Sequence, residues 1–99
     1  MLLTITTRDN YTILEPLEEI GLYNSQDFKR KMTNVIESSD SNIVIDLKHL
    51  AYADSMLIGC LIFGMKKLRN LDRDLRLVNV DPMVMKIPSS IEKCNFMIK

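Results

Sequence analysis

The stretch that decides the fold runs Ile43-Val44-Ile45-Asp46-Leu47, then a short linker, then Ala53-Asp54-Ser55, then the long run from Met56 to Leu68. Its first part is a continuous apolar run of strand length and reads as a buried strand. Its last part is rich in helix formers and free of proline, which predicts a helix from about Ser55 to Asn70. An Asp or Ser at the junction caps such a helix by accepting bonds from its first unpaired amides. The same place also suits a phosphate, because free N–H groups and the positive end of the helix dipole favour added negative charge. Ser55 therefore carries two readings, an ordinary cap and a phosphorylatable surface hydroxyl.

Toward the N-terminus, Leu3-Thr4-Ile5-Thr6 alternates as a half-buried strand does, and Arg8-Asp9-Asn10 supplies turn chemistry. Tyr11-Thr12-Ile13-Leu14 resumes the β pattern, so the two runs read as a hairpin that Pro16 closes. A loop with Glu18 and Glu19 leads to a helix-start signal at Asn24-Ser25. Phe28, Met32, Val35 and Ile36 then recur on one face of an amphipathic helix from Ser25 to Glu37.

Toward the C-terminus, Leu75 to Val80 reads as another strand. Asp81-Pro82 looks like the start of a third helix that Pro88 cuts short. Phe96-Met97-Ile98 fits either a last short strand or a docked coil. The order is ββαβαβα: an opening hairpin, then strands alternating with helices, which demands parallel neighbours and right-handed crossovers. The expected class is α/β, with a mostly parallel, mixed sheet of four to five strands and helices packed on it.

Composition narrows the function. The chain has 99 residues, enough for one domain over 1–99. Thirteen basic and thirteen acidic side chains leave no net charge, and no Lys/Arg cluster interleaves with aromatics, which argues against direct nucleic-acid binding. Near-neutrality favours self-association, as a homodimer, or a protein partner. Cys60 and Cys94 stand far apart without His or CxxC company, so neither a metal site nor a structural disulfide is expected, and no cofactor motif is present. The N-terminus is not a signal peptide and no apolar run can span a bilayer, so a cytoplasmic protein without membrane insertion is expected.

On a helical wheel Leu57, Ile58, Leu61, Ile62, Met65 and Leu68 fall together and should pack on the sheet. The other face opens with Ser55, Met56, Gly59, Cys60 and Phe63 where most helices carry charge. Either the chain's own tail covers this patch or a partner does. Gly59 and Gly64 each weaken the helix, which calls for a close approach at those points. No acid stands between Asp54 and Asp72, so a phosphate on Ser55 would cost the fold little, yet a partner docked there would have to desolvate it.

The Ile-Val-Ile-Asp-Leu strand, Asp54-Ser55, the apolar helix and Leu77-Val78-Asn79-Val80 together resemble the STAS domain, and within it the single-domain anti-sigma-factor antagonists of bacteria. The resemblance spans nearly the whole chain. It is sharpest from Asn42 to Val80, where Asp54-Ser55 stands at the family's signature Asp-Ser-(Ser/Thr)-Gly-Leu-Gly. It implies a STAS-like fold and a regulatory binding protein rather than an enzyme. Ser55 would be phosphorylated by an anti-sigma factor that is also a serine kinase, and reset by a phosphatase. Asp54, Ser55, Met56, Gly59, Cys60 and Phe63 would form the partner surface, bordered by Glu18 and Glu19. Met56, Leu57 and Ile58 depart from the signature. The alternative implied is a STAS scaffold that is not phosphorylated, such as a binding subunit of an ABC transport system. Against catalysis, His49 is the sole histidine and Asp46 at a strand end needs only neighbouring loop amides to be explained.

Overall fold

The computed structural model describes residues 1–51, 55–80 and 97–98. Its elements are β1 (Leu3–Arg8), β2 (Tyr11–Pro16), α1 (Ser25–Ser38), β3 (Asn42–Asp46), α2 (Ser55–Arg69), β4 (Leu75–Val78) and β5 (Met97–Ile98). They form one five-stranded sheet in the order β1-β2-β3-β4-β5. The hairpin pair is antiparallel and every other neighbour is parallel, as expected for a hairpin followed by helical crossovers. The segment predicted as a third helix, together with Cys94 and Asp54, lies outside the described residues. Of the two readings of Phe96-Met97-Ile98, the strand holds for Met97–Ile98, which pairs with β4.

Asp9 makes the hairpin turn with a positive φ of 54°, the conformation a two-residue primed turn needs at its first central position. Pro16 ends β2 opposite Leu3. The N–H of the next residue, Leu17, donates to the Leu2 carbonyl at 3.0 Å, so Leu3–Pro16 is a non-bonded pair and the missing proline N–H is not needed.

Alternation along the strands sorts the two faces. Leu14, Ile43, Ile45, Leu75 and Leu77 are buried under the helices. From α1 the core receives Phe28, Met32, Val35 and Ile36, the four positions the helical period picked out. From α2 it receives Leu57, Cys60, Leu61, Gly64, Met65 and Leu68. This corrects the wheel read from the sequence, because Ile58 and Ile62 are only half-buried while Cys60 and Gly64 are inside. The reason is the second helix. A wheel centred on large aliphatics finds the side facing the sheet, but α2 also packs on α1, and small residues mark that contact. Gly64 lies against Met32, and the Cys60 thiol donates to the Ser25 carbonyl at 3.6 Å.

The helix ends are tied by groups of different kinds. Asn24 precedes α1 but does not cap it: its Oδ1 accepts the Gly21 N–H at 2.8 Å, and its amide donates to Glu18 and to the Glu19 carbonyl. α2 closes with the Arg73 N–H on the Leu68 carbonyl (2.9 Å) and the Asp72 N–H on Arg69, with Asp72 at φ 56°. That is the Schellman arrangement, here without glycine. Arg73 then reaches across to α1, donating to the Ile36 carbonyl at 2.7 Å and to Ser41. A charged fork thus satisfies a carbonyl that the end of α1 leaves open and one in the turn before β3.

The start of β1 is pinned by two acids, Glu18, which accepts the Leu2 N–H, and Asp27. Asp27 on α1 accepts the Met1 α-ammonium at 2.9 Å and also pairs with Arg30, and these bonds hold its carboxyl down at about 2. A carboxylate whose folded pKa lies below the ordinary 3.8 contributes stability that is complete above about pH 4. That contribution disappears as pH falls through about 2. The melting temperature of wild type should therefore exceed that of Asp27→Asn at pH 5, and the gap should close between pH 4 and pH 2. A gap independent of pH would contradict this role.

Candidate functional site

The parallel strands β2 and β3 end on the same side of the sheet, so the loop after β2 and the loop after β3 share one rim with the starts of α1 and α2. Ser55 is the first residue of α2 and is exposed there. No acid follows it in the first turn, and Lys66, Lys67 and Arg69 gather at the far end, which suits the dipole. Met56 is half-buried beside it. Gly59, one turn on, is exposed, and a β-carbon built there would meet no atom within 4 Å. Phe63 is partly covered, with the ammonium groups of Lys29 and Lys67 at 5.5 and 5.9 Å from its ring centre.

Two expectations change at this rim. Cys60 is fully buried on the α1 side, so it supports the helix pair and offers no surface to a partner. Glu18 is half-buried, and both of its oxygens are engaged: Oε2 accepts the Leu2 N–H and Oε1 the Asn24 amide, each at 2.9 Å. The Leu2 bond first, then the Asn24 bond, lowers its pKa. It shapes the loop from within. Glu19 accepts the Ala51 N–H and so ties the loop after β2 to the segment leading into α2. Asp54 lies outside the described residues.

Leu22 and Tyr23 join this rim without any local sequence motif to mark them. They sit on this same loop just before α1, 76% and 102% exposed, an apolar pair turned to solvent. A single exposed leucine means little, but an adjacent fully exposed aromatic is the residue type that anchors protein interfaces. The signal was present as two large apolar residues inside a loop.

The carboxylates that invite a catalytic reading are engaged. Asp46 accepts the Lys48 N–H at 3.0 Å and the Asn79 amide at 2.9 Å, which accounts for it as a loop organiser. His49 Nε2 lies 2.7 Å from Glu15 Oε2, with Lys48 Nζ 3.2 Å from the same oxygen. Among the described residues no group of three His, Cys, Asp or Glu side chains could hold a metal ion, and no helix is long and apolar enough to cross a membrane.

The two glycines of α2 make opposite demands. Gly59→Ala should raise stability by about 1 kcal/mol, since nothing obstructs the methyl group and alanine favours the helix. At Gly64 the same β-carbon would stand 2.5 Å from Met32 Sδ, so that fully buried side chain would have to shift. Overpacking of that kind costs roughly 1–3 kcal/mol, enough to outweigh the helix gain. Thermal melts of the two variants should therefore shift in opposite directions from wild type; a shift of the same sign would contradict the helix–helix packing described above.

A model of the STAS domain family matches residues 3–97. Among solved structures the fold is similar to that of a proposed anti-sigma factor antagonist from Thermotoga maritima, with a TM-score of 0.86 at 19% identity over 97% of this chain and 84% of that one. It is similar to an anti-sigma factor antagonist from Mycobacterium paratuberculosis, with a TM-score of 0.81 at 17% identity over 98% and 83%. The phosphorylated form of the Bacillus cell fate determinant SpoIIAA aligns with a TM-score of 0.73 at 12% identity over 99% and 91%. At these identities the structural likeness bears on the fold. With the family model covering nearly its whole length, the chain belongs to the STAS domain family.

Proposed function

We propose that this chain is a regulatory binding domain of the anti-sigma-factor-antagonist type, which docks an anti-sigma factor kinase over the first turns of α2 and is released when Ser55 is phosphorylated. The observation that carries the reading is the pairing of an exposed Ser55 with an exposed Gly59 one turn later, a helix start kept free of bulk and of acids. Glycine in the open middle of a helix costs about 1 kcal/mol and gains nothing inside this chain, whereas a partner backbone laid against α2 would need it. Met56 and Phe63 flank that track, and Leu22 and Tyr23 extend it across the rim. The relatives named above as anti-sigma factor antagonists support the class of partner.

Phosphorylation acts here by charge. About two negative charges at the start of α2 are welcome to the free helix but must be stripped of water beneath a docked protein. A phosphatase would restore binding. A second reading, a STAS scaffold that docks through the same face without modification, is favoured by Met56 and Leu57, which stand where the signature has a hydroxyl residue and a glycine.

Calorimetric titration of the chain against the anti-sigma factor kinases of its own genome tests the docking surface. One of them should bind, and Gly59→Leu should abolish that binding while the circular dichroism holds and the melting temperature stays at or above that of wild type. Binding unaffected by Gly59→Leu, or no binding by any of the kinases, would overturn the assignment.

A further inference from the structure

We infer that the open edge of β1 is a homodimer interface, pairing antiparallel with β1 of a second copy about a two-fold axis at Ile5. β1 is the outermost strand of the sheet, and its six residues Leu3–Arg8 run in unbroken register with β2, without a bulge. All but Leu3 are exposed. The Leu17-to-Leu2 bond fixes the phase of the ladder: residues 4, 6 and 8 bond to β2, while Leu3, Ile5 and Thr7 turn their N–H and C=O groups outward.

Such an edge is normally protected by charge, proline, a bulge or a cover. Here Leu3-Thr4-Ile5-Thr6-Thr7 has no charge, proline or bulge, Arg8 at the end being the one charge in β1, and every residue from Thr4 to Thr7 is exposed and β-branched. A second copy fits this edge because the segment complements itself. With the axis at Ile5, Leu3 falls opposite Thr7 of the second copy, so all three outward residues enter bonded pairs. Ile5, 50% exposed on its own, meets its symmetry mate, and Thr4 faces Thr6 on the other face of the sheet, a favourable cross-strand pair. Arg8 falls opposite Leu2, so no like charges oppose one another, and a chain of zero net charge does not repel its copy.

The edge is about 20 Å long, and pairing along it buries less than the roughly 1,600 Å² of a standard interface, so the dimer should be weak and concentration-dependent. It leaves the start of α2 open, since β1 lies two strands from β3, the strand that feeds that helix.

Sedimentation equilibrium from about 1 µM to about 1 mM reads the result directly, over a range suited to an interface of this size. The average mass should climb from one chain toward two. Thr7→Pro removes an N–H that only the open edge would use, and Ile5→Lys places two ammonium groups at the axis. Each variant with the wild-type circular dichroism spectrum should stay monomeric throughout, and the exposure of Ile5 makes its lysine variant compatible with the fold. A wild-type chain that remains monomeric, a folded variant that dimerises as wild type does, or oligomers larger than two would each overturn the proposal.

Discussion

Replacing Ser55 by aspartate is expected to weaken binding of the anti-sigma factor kinase at least about 100-fold while leaving the domain as stable as before or slightly more so. The two effects have separate origins. In the free chain, residue 55 is exposed at the first position of a fifteen-residue helix with no acid in its first turn. A carboxylate there meets unpaired N–H groups and the positive end of the dipole, a gain of about 0.3–1 kcal/mol. In the complex the same charge is covered, and a buried charge without a partner costs roughly 3–5 kcal/mol, which is where the 100-fold figure comes from. Ser55→Ala should bind as wild type does, because the partner loses only a hydroxyl. Titration calorimetry alongside thermal melts separates the effects. Binding by Ser55→Asp within about threefold of wild type would remove the basis for a charge-driven switch.

The largest expected loss of stability follows from truncating Leu57, two residues beyond Ser55. At the position where the family signature has its first glycine, this chain has a leucine that is 1% exposed and belongs to the main core cluster. Leu57→Ala should cost about 2–5 kcal/mol through lost burial and the cavity left behind. Leu57→Gly, which restores the signature residue, should cost about 1 kcal/mol more through helix propensity. Domains of this size have only about 5–15 kcal/mol in total, so the glycine variant should unfold at markedly lower denaturant. Urea unfolding followed by circular dichroism measures both. A signature glycine accepted with less than about 1 kcal/mol of loss would mean that Leu57 does not anchor the start of α2.

Much of this architecture was legible in the residues because it depends on local pattern. Alternation in Leu3–Thr6, the apolar run at Ile43, the spacing of Phe28, Met32, Val35 and Ile36, and the turn chemistry at Asp9 each dictate their element without reference to distant chain. What was not legible depends on contacts between elements. Asn24 reads as a helix cap, yet its side chain is drawn into the preceding loop by Gly21 and Glu18. Cys60 and Gly64 read as a patch residue and a weak point, yet they are where α1 approaches. Neighbouring acids Glu18 and Glu19 look equivalent in sequence, but one is bonded to Leu2 and the other to Ala51, so only Glu19 reaches toward the Ser55 side. Arg73 is one arginine among several until the fold brings it to the Ile36 and Ser41 carbonyls. The exposed Leu22 and Tyr23 needed a structure, since an apolar pair in a loop is as often buried as displayed.

The Ser55 hydroxyl, exposed at the start of α2, is expected to receive a phosphate from the partner that docks there. Intact-mass measurement after incubation with ATP, Mg²⁺ and the kinase that binds the chain tests it most directly, with peptide mapping to place the modification. The expected result is the addition of a single phosphate, mapped to Ser55 and absent from Ser55→Ala. A kinase that binds tightly yet leaves the mass unchanged, or a phosphate mapped to any other residue, would contradict it.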